Sequence, residues 1–296
     1  MKIRVTLAAI VSTLLLATCL LAQEHPSCWT AASNPSPTSP TVSDATDTAN
    51  CGVLVMETNW TRQWPGAGGR DDAVGALFRL GLRPNLELRW ATDGALFSKQ
   101  PASTISGLGE TYLGGKYRIL EQSAHFPSLA LRYTLKIPTA STAKGFSTGY
   151  SDHEIGVLLS KDFRPIHLDL SALQLFCGRG PGQDLGHTTR LAFSGTRALT
   201  QNWGGFIEAY GELPLEKADP AFAGSIAGLS YRLSSKLVLF SAVDLALTDH
   251  LPREQFMVSI SYAITNFYSL ITHREISVAR RVTEPSGAES GRNSVQ

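Results

Sequence analysis

The sequence predicts an all-β fold, a transmembrane antiparallel up-and-down β-barrel of about 12 strands. Three observations predict it. Apolar residues recur with period two through most of the chain. Several alternating segments are nine to twelve residues long. Strands of soluble proteins average about five or six residues, whereas a tilted membrane-spanning strand needs about nine to eleven. The connections also alternate, brief at one end of the strands and mostly longer at the other.

Composition sets the outer bounds. The chain has 296 residues, 43% hydrophobic and 17% charged, where soluble domains are about 25% charged. Lys plus Arg number 26 and Asp plus Glu 25, so no basic surplus attracts nucleic acid. Past residue 22 no apolar run approaches the roughly 18–20 residues of a spanning helix. A disordered chain, a coiled coil, a nucleic-acid binder and a helical membrane protein are thereby excluded.

Residues 1–22 read as a signal peptide. Met1–Lys2–Ile3–Arg4 is a basic start, 5–16 an apolar run, and 17–22 a stretch ending in a cleavage point after Ala22. Leu16–Ala17–Thr18–Cys19 resembles a lipobox, with Thr18 where Gly, Ala or Ser usually stands, so lipidation of Cys19 stays open. Removing residues 1–22 leaves 24 basic against 25 acidic side chains, a balance of −1.

Residues 23–51 read as a Ser/Thr/Pro-rich linker. SNPSPTSPTVSDATDT has too few apolar residues to fold alone. Cys28 and Cys51 bracket this stretch, and an exported chain meets an oxidising compartment. Whether they pair stays open. No Cys-x-x-Cys or Cys/His ligand spacing occurs, so no metal and no cofactor are expected.

Residues 52–268 carry the barrel. The expected strands are 53–62, 72–82, 85–93, 108–119, 128–138, 153–160, 166–177, 188–198, 203–212, 222–233, 237–247 and 255–267. Brief connections follow the even-numbered strands: 83–84, 120–127, 161–165, 199–202 and 234–236. The others, 63–71, 94–107, 139–152, 178–187, 213–221 and 248–254, are mostly longer. Short turns inside and long loops outside are the outer-membrane pattern. Residues 269–296 form a polar C-terminal tail, which departs from barrels that end on a terminal aromatic.

The two faces differ. In 128–137, Leu129, Leu131, Tyr133, Leu135 and Ile137 alternate with Ala130, Arg132, Thr134 and Lys136. A membrane barrel turns its apolar face to lipid and its polar face inward. The expected pore-lining residues are therefore Arg89, Lys116, Arg118, Arg132, Lys136, Arg190 and Arg232 on the basic side. Glu87, Glu110, Glu154, Asp169, Glu208 and Asp244 are the acidic set. Trp60 near one rim and Tyr117, Trp203 and Phe267 near the other suit the lipid–water boundary.

GLGETYLGGKYR (107–118), LALRYTLKIPTA (129–140), GYSDHEIGVLLSKDF (149–163) and AGLSYRLSSKLVLFSAVDLALTD (227–249) occur in this order. Together they resemble the meta-pathway phenol-degradation-like outer-membrane transporter family across roughly residues 52–267. Glu110, where that family more often has Asp, and the C-terminal extension depart from its pattern. The resemblance implies an outer-membrane channel for hydrophobic or aromatic compounds.

Catalytic chemistry is sparse. No Gly-x-Ser-x-Gly elbow occurs. Asp152, His153 and Glu154 are adjacent on a strand, so they cannot share one metal. No catalytic residue is assigned, and the chain reads as a non-enzyme: a porin-like passive transporter for small solutes in a Gram-negative outer membrane. Its expected partners are outer-membrane lipid, a small-molecule solute and the barrel-assembly machinery. Two alternatives stay open. One is an outer-membrane enzyme acting on lipid through His153 or His187. The other is a non-conducting structural or adhesion barrel, its lumen plugged; the Ser/Pro-rich segment itself could be the plug.

Overall fold

The computed structural model describes residue 28 and residues 31–35, 37–38, 40–65, 68–214, 221–248 and 254–270. The expected signal peptide with its Cys19 lipobox, and the tail beyond Leu270, lie outside the described residues. Thirteen strands are present among the described residues. They are β1 (Val53–Gln63), β2 (Arg70–Arg83), β3 (Leu86–Gln100), β4 (Ser103–Leu108), β5 (Thr111–Leu120), β6 (Ser128–Ile137) and β7 (Asp152–Phe163). Then follow β8 (Ile166–Cys177), β9 (Gly186–Ala198), β10 (Trp203–Pro214), β11 (Phe222–Ser234), β12 (Leu237–Ala246) and β13 (Glu254–Asn266).

Strands pair antiparallel with their chain neighbours, and β1 pairs with both β2 and β13. The sheet therefore closes. β4 pairs with the far half of β3 and β5 with its near half, so the two act as one stave. The result is a closed 12-strand antiparallel barrel. Closure removes the exposed strand edges that would otherwise need partners in lipid.

The 94–107 loop expected from the sequence is corrected by this hairpin. Polar residues there suggested a loop, yet β3 runs on to Gln100 and β4 returns beside it. A kink at Gly94 permits the extension. Its φ is +63°, and a Cβ there would sit 2.0 Å from the Val74 carbonyl oxygen. Only glycine tolerates that approach, and the β2–β3 register shifts between Val74 and Ala76 opposite it.

Period two explains which side chain points where. Leu88, Trp90, Ile155, Phe193 and Ile207 all point outward and remain exposed, Ile207 to 68%. An exposed large apolar side chain forgoes roughly 1.5–3 kcal/mol relative to burial, so a belt of them needs lipid. Glu57, Arg79, Glu87 and Lys116 point inward and are at most 1% exposed. A soluble barrel would show the opposite arrangement. Rings gather at the rims, with Trp60 6.0 Å from Phe256 and Trp203 4.8 Å from Tyr231.

The interior is not uniformly polar. Ala130, Leu158 and Leu173 form one small apolar cluster, and Phe206, Ile226, Ala242 and Met257 another. A third joins Val53, Val55 and Ala263 to Ala49, which precedes the barrel in the chain.

Candidate functional site in the barrel lumen

Ala49 belongs to the stretch expected as a linker. From Pro40 to Asn50 that stretch is packed inside the barrel near its short-turn rim. Ser43, Asp44, Thr46, Thr48 and Ala49 are buried. Its two ends are tied together, because Cys28 and Cys51 form a disulfide with Cα atoms 4.9 Å apart. The loop leaves the lumen against β2. The Gly52 N–H donates to the Gly81 carbonyl at 2.7 Å, and Cys51 bridges Gly81. A Cβ on Gly81 would lie 2.2 Å from the Asn50 carbonyl oxygen, so glycine makes room for the exit.

A polar, proline-punctuated peptide can be buried only if its backbone groups find partners. The wall supplies them. Glu208 accepts the Val42 N–H at 2.7 Å and the Ser43 N–H at 2.9 Å, and also pairs with the Ser43 hydroxyl. The Asp44 N–H donates to Ser171 Oγ and the Thr46 N–H to Ser160 Oγ, both at 2.9 Å. Thr46 Oγ1 lies 2.6 Å from Ser128 Oγ. The Ala49 N–H donates to Glu87 at 2.6 Å, and Glu57 accepts the Thr38 N–H at 3.1 Å.

Asp44 is the centre of the arrangement. Lys116 Nζ donates to its Oδ1 at 2.9 Å, and Arg132 to its Oδ2 at 3.0 Å. Arg89 also binds Oδ2. Burial alone would raise this carboxyl, but Arg89, Lys116 and Arg132 outweigh it and hold Asp44 well below the usual carboxylate range.

These contacts belong to a continuous ribbon of ion pairs. Arg79 joins Glu57 at 3.1 Å to Glu87 at 2.9 Å. Glu87 lies 3.6 Å from Lys116 and 3.8 Å from Arg89. Asp44 connects Arg89 and Lys116 to Arg132, and Arg132 continues through Glu154 and Arg190 to Glu212. Five bases meet five acids. Every member except Asp44 stands on a strand.

Glu87, Arg89, Lys116, Arg132, Glu154 and Arg190 meet in the ribbon, and Glu208 holds the peptide amides. Arg118 reaches Asp47 at 3.3 Å and Glu121 at 2.9 Å. Asp169 accepts from Ser160 at 2.6 Å and lies 3.0 Å from His167. Asp244 accepts from the Tyr210 hydroxyl at 2.8 Å. Farther up, Lys136 pairs with Asp152, and Glu110 accepts the Thr139 and Ala140 N–H groups at 2.8 and 3.0 Å. Arg232 is exposed at the short-turn rim, where it helps line a cavity of about 300 Å³ with Pro35, Pro37 and Pro40.

Sequence reasoning missed Asp44, Glu57, Arg79 and Glu212. Arg79 sits on the opposite parity to Phe78 and Leu80, which was a usable signal. Glu57 shares its face with Val53 and Val55, so its strand reads as apolar on that side. Asp44 lies outside any strand and carries no periodic signature.

The histidines weighed for catalysis are elsewhere. His153 Nδ1 lies 2.7 Å from the Tyr133 hydroxyl on the outer face, and His187 packs edge-on to Phe176. Asp152 and Glu154 engage different basic partners on the inner face. No group of three or more His, Cys, Asp or Glu placed to hold a metal occurs among the described residues.

No family model matches the chain, and no curated protein matches it. Solved structures do. The chain is similar to the COG4313 outer membrane channel from Pseudomonas putida F1, at 11% identity and a TM-score of 0.58, covering 77% of this chain and 100% of that one. It is also similar to the NanC porin, at 8% identity and a TM-score of 0.52, covering 71% and 100%. The KdgM porin gives 11% identity, a TM-score of 0.50, and coverage of 71% and 99%. At these identities the likeness is one of fold, and the fold is the outer-membrane barrel.

Proposed function

We propose that the protein is a porin-like passive channel for small solutes in the outer membrane of a Gram-negative bacterium, its lumen obstructed by its own amino-terminal segment. The observation that carries this reading is the inverted barrel. An apolar belt faces outward, and a ribbon of paired charges faces an interior filled by a peptide rather than by a packed hydrophobic core. A wall of that kind suits solvent and solute. The thirteen sequence-predicted residues, with Glu57, Arg79 and Glu212, are its pore lining. The likeness to one channel and two porins supports the same reading, and the family resemblance extends it to hydrophobic or aromatic compounds.

The peptide in the lumen also favours a second reading, a non-conducting structural or adhesion barrel. Planar-bilayer recordings separate the two. The mature chain is compared with a chain lacking residues 23–50, each checked as folded by its heat-modifiable mobility on a gel. A channel gives small or intermittent currents from the first and steady, several-fold larger currents from the second. Silence from both folded forms would leave the structural reading.

A further inference from the structure

The cage around Asp44 has a feature that its own wall does not explain. Arg79 stands directly opposite Arg89 across β2 and β3, and Lys116 directly opposite Arg132 across β5 and β6. Like charges facing each other across a ladder are destabilising. These four are buried or nearly so. Arg79 is offset by Glu57 and Glu87 on the wall itself. Lys116 and Arg89 also lie near Glu87, and Arg132 pairs with Glu154, yet all three converge on one further carboxylate that the wall does not own. Without Asp44 the ribbon keeps five bases against four acids.

We infer that Arg89, Lys116 and Arg132 form a binding site for the carboxylate of a transported solute, and that Asp44 occupies this site as a tethered competitor. The inference deepens the channel reading and rests on it for the word transported. The geometry fits a carboxylate. Two guanidinium groups share one oxygen while an ammonium takes the other, so both oxygens are satisfied from three directions. Ser171 and the Lys116 contact to the Ala45 carbonyl hold the peptide, so the same wall can fix the body of a ligand. Asp44 does not need to leave the protein to yield the site. The segment from Pro40 to Asn50 can withdraw while the Cys28–Cys51 disulfide stays in place.

A tethered group competes at an effective concentration in the millimolar range for a short flexible link. A free carboxylate therefore binds weakly to the native chain, and more tightly once Asp44 loses its charge. The test uses the full mature chain in detergent, with benzoate as probe and benzamide as its neutral counterpart. Titration calorimetry on Asp44→Asn should show benzoate binding at least about tenfold tighter than on the native chain. Benzamide should show no such gain. Adding Arg132→Met to Asp44→Asn should abolish the gain.

A second measurement stands in if Asp44→Asn does not fold. In a Cys177→Ser background, Ala45→Cys reports loop withdrawal by its rate of maleimide labelling. Benzoate should speed labelling several-fold, and benzamide should not. Equal benzoate affinity for the native chain and folded Asp44→Asn, or labelling indifferent to benzoate, overturns the inference. Conductance separates this from failure of the channel reading. Steady currents without a benzoate effect remove the cage and leave the channel. A benzoate effect with no current from any form leaves a carboxylate site, and removes transport from the proposal.

Discussion

The two halves of the lumen hold the same peptide by different physics. On the β3–β7 side an ionic hold, Arg89, Lys116 and Arg132 on the Asp44 side chain, is added to backbone bonds such as those to Glu87 and Ser160. On the β10–β13 side the hold is on the backbone and on apolar surface. Glu208 accepts the Val42 and Ser43 amides, and Val42 packs on the cluster of Phe206, Ile226, Ala242 and Met257. The first contact is specific to a negative charge. The second would accept almost any extended chain with a small apolar residue. The difference separates what recognises a ligand from what merely keeps a peptide in place.

Changing the ionic half should have the largest effect. Asp44→Asn removes the carboxylate on which Arg89, Lys116 and Arg132 converge and leaves Lys116 facing Arg132. Breaking one partner out of a buried ionic set costs about 3–5 kcal/mol. The loop should open in most molecules, read as several-fold higher conductance with the barrel still heat-modifiable. Conductance equal to that of the native chain would show the ionic half to be dispensable.

Untying the ends should come next. Cys28→Ser with Cys51→Ser frees a loop whose closure is worth about 3 kcal/mol on the chain-entropy account. That effect is shared between both halves and should raise the fraction of open time without changing ion preference. A change in preference would mean that the disulfide also shapes the pore.

The half that holds the backbone should matter less. Glu208→Gln keeps a carbonyl for one of the two amides, so the expected loss is about 1–2 kcal/mol. Open time should rise modestly, and by less than in Asp44→Asn. The reverse order would overturn the comparison between the halves.

Acid should have the smallest effect. The folded Asp44 carboxyl is held below its ordinary value, so its stabilisation is present above the unfolded value of about 3.9. That stabilisation is lost only as pH falls through the lowered folded value. Between about pH 7 and pH 5 the loop should stay in place. Opening within that window would point to another titrating group.

Much of this was legible in the residues. Leu129, Leu131 and Tyr133 against Ala130 and Arg132 show the two faces of β6 directly, because alternation is local. The short turns expected at 83–84 and 234–236 are equally local, and they lie at 84–85 and 235–236. The long-range facts were not legible. The β3–β4 hairpin depends on how Gly94 lets β3 pass Val74, and polar residues such as Ser98, Lys99 and Ser103 gave no strand signal. Ser43 to Ala49 read as linker because the partners that bury them, Glu208, Ser171 and Ser160, come more than a hundred residues later. The face of a strand can be read from its own sequence. What lies against that face cannot.

The seat of this segment in the lumen and its closing of the pore can be tested together. Thr46 and Ser128, with oxygens 2.6 Å apart, allow a direct test. Thr46→Cys with Ser128→Cys, in a Cys177→Ser background, is expressed and assayed in intact outer membranes. We predict a spontaneous disulfide between the two positions, visible as a mobility shift, and a locked, low-conductance barrel that opens on reduction by more than the Cys177→Ser chain reduced in parallel, whose Cys28–Cys51 bond is also broken. Free thiols at both positions in a folded barrel, or the same conductance before and after reduction of a formed bond, would contradict the account.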